Sequence, residues 1–184
     1  TDFFYPLGGI ERKPHHLLVT NSADMPLKGL KYLMPAIASL KRKRPIHLTV
    51  IGAPKKGGVI EKLVAELGIG DVVHFTGRIP NEAFARHYAE ATMAVIPSLY
   101  EGFGMPAGEA MACGVPVVST TGGALPEVVG DAGVLVPPAD SAALERAIIR
   151  LLDHPQERAA LGEAGLKRVG DSLTWEHAAK KTVA

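Results

Sequence analysis

Short apolar runs alternate along the chain with longer stretches whose apolar residues recur every three to four positions. Residues 15–21 (HHLLVTN), 46–52 (IHLTVIG), 72–77 (VVHFTG), 93–98 (MAVIPS), 115–121 (VPVVSTT) and 133–138 (GVLVPP) read as six strands. Helical spacing fills the gaps between them. Leu30, Leu33, Met34, Ile37 and Leu40 share one face of a helix over 30–43. Ile60, Leu63, Val64 and Leu67 predict a short amphipathic helix stopped by Gly68. Residues 81–91 (NEAFARHYAEA) predict a third. A fourth begins near Pro106 and ends at Gly114, with proline at the entrance and glycine at the exit. LPEVVG is a short fifth. Leu144, Ala147, Ile148, Leu151 and Leu152 mark a long one, with one or two more helices after it.

Strands three to five are short, continuously apolar and rich in β-branched residues. Such runs suit a parallel sheet covered on both faces. The strict alternation of strand and helix predicts an α/β, Rossmann-like, doubly wound parallel six-stranded sheet with helices on both faces. One domain over 15–184 is expected. Residues 1–14 (TDFFYPLGGIERKP) resemble a linker entering it from an N-terminal domain that this chain lacks. The final TWEHAAKKTVA looks helical and carries no stop signal, so a truncated last helix and a fragment of a longer protein are expected. No internal repeat or low-complexity tract interrupts the pattern.

Composition narrows the function classes. The chain has 184 residues, 47% apolar and 21% charged. That length suffices to bury roughly 70% of the unfolded surface. A net charge of +1 leaves no electrostatic footprint for nucleic acid. Lys41–Arg42–Lys43–Arg44 is the one strong basic cluster. It reads as a solvated helix end whose cations sit near the last carbonyls, or alternatively as a surface touching anionic lipid. The single cysteine, Cys113, rules out a disulfide framework and points to a reducing, cytoplasmic compartment, with the inner face of the membrane as a variant of that reading. Cys113 itself, beside Gly114, reads as a small helix-end residue. No apolar run approaches a membrane span and no signal peptide is visible. The seven histidines show no metal-ligand spacing, so no metal is expected. His74 and His87 read as structural or surface residues and Trp175 as a packing residue.

Candidate chemistry gathers on one edge of the predicted sheet. In an open α/β sheet, ligands bind beyond the carboxyl ends of the strands, at the point where strand order reverses. Lys28 follows strand one and Arg78 follows strand three. Glu101 and Glu109 follow strand four, in LYEGFGMPAGE. Gly102 and Gly104 allow tight turns and close approach of a ligand to the backbone. Pro106 opens a helix whose first amides point back at that loop, which makes an anion site suited to a diphosphate. Lys28 adds a point charge for the same phosphates. The stretch is neither a P-loop nor G-x-G-x-x-G. Carboxylates are bidentate acceptors suited to vicinal hydroxyls. The two glutamates would then grip the two polyol ends of a nucleotide sugar. The plainer reading makes them capping or solvated glutamates favoured by the helix dipole.

E-G-F-G-M-P-A-G-E-A-M-A-C-G-V-P-V-V resembles the E-x7-E signature of group 1 retaining glycosyltransferases. TTGGALPEVVGDAGVLVPPAD resembles the family's next segment, and P-L-K-G (26–29) its Lys-Gly element. The resemblance covers essentially the whole chain. It implies the C-terminal, donor-binding half of a GT-B enzyme, with a nucleoside-diphosphate sugar as substrate, no cofactor and no divalent metal. Glu101 would be the catalytic carboxylate, holding hydroxyls of the transferred sugar and stabilising developing oxocarbenium charge. Glu109 would hold the ribose hydroxyls. Gly102 and the amides of Phe103, Gly104 and Met105 would line the sugar and phosphates. Lys28 would neutralise the leaving diphosphate. The backbone at Gly77, Arg78 and Ile79 would edge the nucleobase.

The family often places an arginine a few residues before its lysine. Residues 14–26 hold none here, and Asn21 and Ser22 stand as uncharged phosphate donors instead. UDP- or GDP-sugars are favoured on family grounds, with ADP-sugars open. The acceptor site and a histidine near the reacting sugar would lie in the N-terminal domain, so this chain alone would bind a nucleotide and transfer nothing. A non-catalytic nucleotide-sugar-binding module, and a GT-B-fold epimerase or phosphorylase, are the alternative readings.

Overall fold

A computed structural model describes residues 3–20 and 25–173. Six parallel strands form one sheet in the order β3-β2-β1-β4-β5-β6. They are β1 (His16–Thr20), β2 (His47–Ile51), β3 (Val73–Phe75), β4 (Met93–Ile96), β5 (Val117–Thr120) and β6 (Val134–Val136). The helices are α1 (Leu30–Lys41), α2 (Val59–Glu66), α3 (Asn81–Glu90), α4 (Met105–Ala112), α5 (Leu125–Val129), α6 (Ser141–Asp153) and α7 (Pro155–Ser172). The expected doubly wound Rossmann-like sheet is the one observed.

Alternation along each strand sorts its side chains onto two cores. On one face Leu17, Val19, Leu48, Val50, Val73, Met93 and Val95 pack under α1, α2 and α6. On the other, Leu18, Ala94, Ile96 and Val117 meet Tyr88, Met111, Leu125 and Val129 from α3, α4 and α5. Both faces are covered, which is why the strands read as unbroken apolar runs rather than as alternating ones. β1 lies between β2 and β4, with Leu17 opposite both Leu48 and Met93. Its crossover runs to one side of the sheet and that of β4 to the other, so the gap between β1 and β4 is the switch point.

Observed elements are shorter than their sequence patterns. α1 closes at Lys41 because the amides of Lys43 and Arg44 both turn back to the Leu40 carbonyl. The basic run at that end is more engaged than a solvated helix terminus. Lys41 pairs with Asp71 at 2.5 Å, Lys43 with Glu145 at 2.6 Å and Arg44 with Asp153 at 2.7 Å. Glu145 also accepts from the Ser39 hydroxyl, which ties α1 to α6. Exposed pairs of this kind add little to stability. Together they neutralise three of the four cations that suggested a lipid-facing surface.

Residues 3–14 lie against the domain. The Phe4 ring meets Phe84 and Tyr88 edge-on, 6.2 and 6.1 Å between centroids. Arg12 donates to the carbonyls of Ala91 and Gly114 at 2.7 and 2.8 Å, closing the bottom of β4 and the end of α4. Cys113 caps α4, buried, and burial pushes its thiol up to about 12. It therefore packs as a neutral small residue.

Candidate functional site

The loop after β4 runs between two other backbones. On one side is a single 3-10 turn, Pro26–Lys28, that follows β1 and ends at Gly29. The Leu99 amide donates to the Leu27 carbonyl at 2.7 Å. On the other side is the chain leaving β5. There the Thr120 hydroxyl donates to the Ser98 carbonyl, and the Ala124 amide to the Glu101 carbonyl at 2.9 Å. Glycines make both approaches feasible. A Cβ on Gly29 would overlap the Pro97 carbonyl, one on Gly122 the Leu99 carbonyl, and one on Gly123 the Glu101 carbonyl. Residues 97–101 are thus held by backbone on both flanks, and the position of Glu101 follows from that.

Glu101 is buried, 7% exposed, at the mouth of the switch point. Its Oε1 accepts from Lys28 Nζ at 2.6 Å and from Ser98 Oγ at 2.8 Å. The two residues expected to serve different parts of one ligand therefore touch. Beyond Glu101, α4 is preceded by Gly104, a left-handed residue (φ 69°) at its N-cap position, and no side chain caps the helix. The chain passes from the Glu101 loop into α4 within four residues, and the Ala107 amide turns back to the Gly104 carbonyl at 3.0 Å. Phe103 and Met105 flank Gly104 with side chains 85% and 57% exposed.

Glu109 lies one turn into α4, above Tyr88 of α3. Its Oε2 sits 3.3 Å from the Tyr88 hydroxyl, which is also 3.4 Å from Thr20 Oγ1 and from the Pro106 carbonyl. One phenolic proton serves one of these acceptors at a time. Burial, with Glu109 adding to it, holds the phenol well above its usual range, so Tyr88 stays a neutral donor. Burial also raises the Glu109 carboxyl, while the Tyr88 hydrogen bond opposes the rise.

That shift has a definite sign. The folded pKa lies above the ordinary value near 4.5, so in between the folded chain holds the extra proton. Stability then falls as pH rises through that window. Glu109→Gln is expected to melt at a higher temperature than the wild type at about pH 8, with the gap closing toward pH 4. Thermal unfolding at both pH values checks this, and a Gln variant that melts lower at high pH refutes it.

Gly77 follows β3 at the same sheet edge, two strands from Lys28. Its φ is 71° and its amide donates to the Gly52 carbonyl at 3.0 Å. Arg78 is exposed, and Ile79 packs half-buried on the second core. Among the described residues, the Glu101 carboxylate bonds to Lys28 and Ser98 and to none of this trio. Asn21 and Ser22, the expected phosphate donors, lie outside the described residues, as does Trp175. Sequence reasoning missed Ser98, Thr120 and Tyr88: Thr120 and Tyr88 act through neighbours more than 20 positions away, and Ser98 turns its hydroxyl to Glu101 three residues on only because the loop between them folds back. The Gly122–Gly123 pair after a strand was the one signal available for the flank beyond β5. Among the described residues, no group of three or more His, Cys, Asp or Glu could hold a metal ion, and no helix is long and apolar enough to cross a membrane.

Comparison with known proteins agrees with this fold. The family model described as glycosyl transferases group 1 matches residues 11–168. An MMP alpha-(1->4)-mannosyltransferase of Mycolicibacterium hassiacum is 44% identical over 187 aligned residues, covering 100% of this chain and 45% of that protein. A D-inositol 3-phosphate glycosyltransferase of Geodermatophilus obscurus is 37% identical, over 86% of this chain and 37% of that protein. The solved structure of sucrose-phosphate synthase from Thermosynechococcus elongatus superimposes with a TM-score of 0.87 at 34% identity, over 98% of this chain and 48% of that one. The chain spans less than half the length of each of these relatives. Its match to the family model from the segment before β1 into α7 places it in the group 1 glycosyltransferase family.

Proposed function

We propose that this chain is the donor-binding half of a GT-B glycosyltransferase that moves a hexose from a nucleoside-diphosphate sugar with retention and without a divalent metal. The observation that carries the reading is the meeting of Lys28, buried Glu101 and the uncapped start of α4 at one switch point. A diphosphate set against the α4 amides meets a field of the right sign, and Lys28 supplies the compact charge for it. The amides of Phe103, Gly104 and Met105 and the space beside Gly102 take the phosphates and the sugar. Glu101, fixed by backbone on both flanks, faces the sugar, holds its hydroxyls and opposes the positive charge that develops at the anomeric carbon. Glu109, steadied by Tyr88, takes the ribose hydroxyls. Gly77, Arg78 and Ile79 border the base, and Asn21 and Ser22 add uncharged donors to the phosphates.

In this reading the acceptor attacks from the face the leaving group departs. The leaving phosphate takes the acceptor proton, so the chain's own task is charge stabilisation of that phosphate. The rest of the protein brings the acceptor. A mannosyl group is the sugar favoured, because the relative matched over the whole chain is named a mannosyltransferase.

Calorimetric titration of the full-length protein with UDP, GDP, ADP and their sugars tests this. One nucleotide is expected to bind selectively, and Lys28→Ala and Glu109→Ala are each expected to weaken it about tenfold or more, the loss typical of one hydrogen bond to a charged group. No nucleotide binding at millimolar ligand refutes the reading.

A further inference from the structure

The contact between Lys28 and Glu101 carries a consequence for the order in which a donor is recognised. We propose that the diphosphate and Glu101 compete for the Lys28 ammonium, so that arrival of the diphosphate uncovers the carboxylate that then receives the sugar. The proposal rests on the donor-half reading above and adds a coupling inside it.

Three observations lead there. First, Lys28 Nζ is 2.6 Å from Glu101 Oε1, and the same oxygen already accepts from Ser98 Oγ at 2.8 Å. An oxygen with both partners has little capacity left for sugar hydroxyls. Second, the two side chains differ in freedom. Glu101 is 8% exposed and tethered through its own carbonyl to Ala124, whereas Lys28 is 27% exposed at the end of a flexible four-carbon stem. Third, the backbones beneath both are locked together by the Leu99 amide on the Leu27 carbonyl, so the pair separates by side-chain rotation and not by loop movement.

A diphosphate carries more negative charge than one carboxylate. Set against the α4 amides, it draws the lysine off Glu101. Ser98 then keeps Oε1 in place while the carboxylate turns its remaining lone pairs to the sugar. Departure of the nucleoside diphosphate reverses the exchange. Sugar recognition at Oε1 is therefore conditional on the leaving group, and a free hexose meets a carboxylate whose Oε1 already holds Lys28 and Ser98.

The test is a double-mutant cycle read by calorimetry in the full-length protein, using the nucleoside diphosphate that binds the wild type. Glu101→Gln keeps shape and removes charge. It is expected to bind that diphosphate about fivefold tighter, the gain set by one relieved ion pair. In a Lys28→Met background the same change is expected to give no gain. The parent nucleoside, lacking phosphates, is expected to bind all four proteins equally.

Thermal melting confirms that the variants fold. A second readout needs no variant: the Lys28 side-chain nitrogen resonance is expected to shift when the diphosphate is added. A Glu101→Gln protein that binds no tighter overturns the competition and leaves the donor-half reading standing. An equal gain without Lys28 also overturns it, since that is plain repulsion between Glu101 and the phosphates. A wild type that binds no nucleoside diphosphate overturns both.

Discussion

Glu101→Gln in the full-length protein is expected to lower the turnover rate about a hundredfold or more, while leaving the donor bound. Loss of one preorganised group aimed at developing charge commonly has that size. Glu101 is suited to the task by its surroundings. It is buried, its Oε1 is anchored to Ser98, its carbonyl is tied to Ala124 beyond β5, and its neighbour Leu99 is tied to the turn after β1. A charge held this way needs no reorganisation when the anomeric carbon becomes positive. The amide keeps the shape and the hydrogen-bond acceptor but loses the charge, so the large effect belongs in kcat, while donor binding changes by no more than the roughly fivefold expected when the Lys28 pair is relieved. Steady-state rates over a range of donor concentrations separate the two. Turnover within tenfold of the wild type would remove Glu101 from the chemistry and leave it as a binding group.

The second large effect is structural. Gly29→Ala is expected to destabilise the fold by about 3 kcal/mol or more. A left-handed φ of 71° costs roughly 1–2 kcal/mol for a residue with a Cβ. The new methyl would also run into the Pro97 backbone, which cannot rotate away. For a domain of this size about 3 kcal/mol lowers the melting temperature by roughly 6–12 °C. Gly102→Ala is the matched control, because a Cβ there meets nothing within 4 Å. It is expected to melt close to the wild type. A Gly29→Ala protein that behaves like the control would mean that the turn yields and that Glu101 is less firmly held than its neighbours imply.

The order and kind of the elements were legible because they depend on local pattern. Leu30, Leu33, Met34, Ile37 and Leu40 lie on one face of any helix they form, and all five are buried on α1. Element ends were not legible in the same way. Residues 72–77 look uniformly strand-like, yet β3 is Val73–Phe75; Val72 and Thr76 still bond to Leu48 and Val50 of β2, but the paired register covers only the three between them. Lys28, Glu101 and Glu109 could be placed at one sheet edge, since each follows a strand and a parallel sheet puts all those ends together. What they touch could not. Lys28 and Glu101 are 73 positions apart, and nothing between them marks the pairing. Tyr88 is a core aromatic on α3 whose hydroxyl reaches Glu109 because α4 crosses above it.

By itself the amino-acid sequence determined the alternating strands and helices, the two-sided apolar cores, the glycine-rich turn into α4 and the sheet edge where the chemistry gathers. Periodicity, residue shape and backbone freedom are properties of a few neighbouring residues, so they survive reading along a line. The tertiary structure alone decided that residues 97–101 run between Gly29 and Gly122–Gly123, that Lys28 closes on Glu101, and that α6 supplies Glu145 and Asp153 to the basic end of α1. Those outcomes depend on which backbones pass within van der Waals distance of one another. That is set by strand order and crossover direction across the whole sheet, and no single segment carries it.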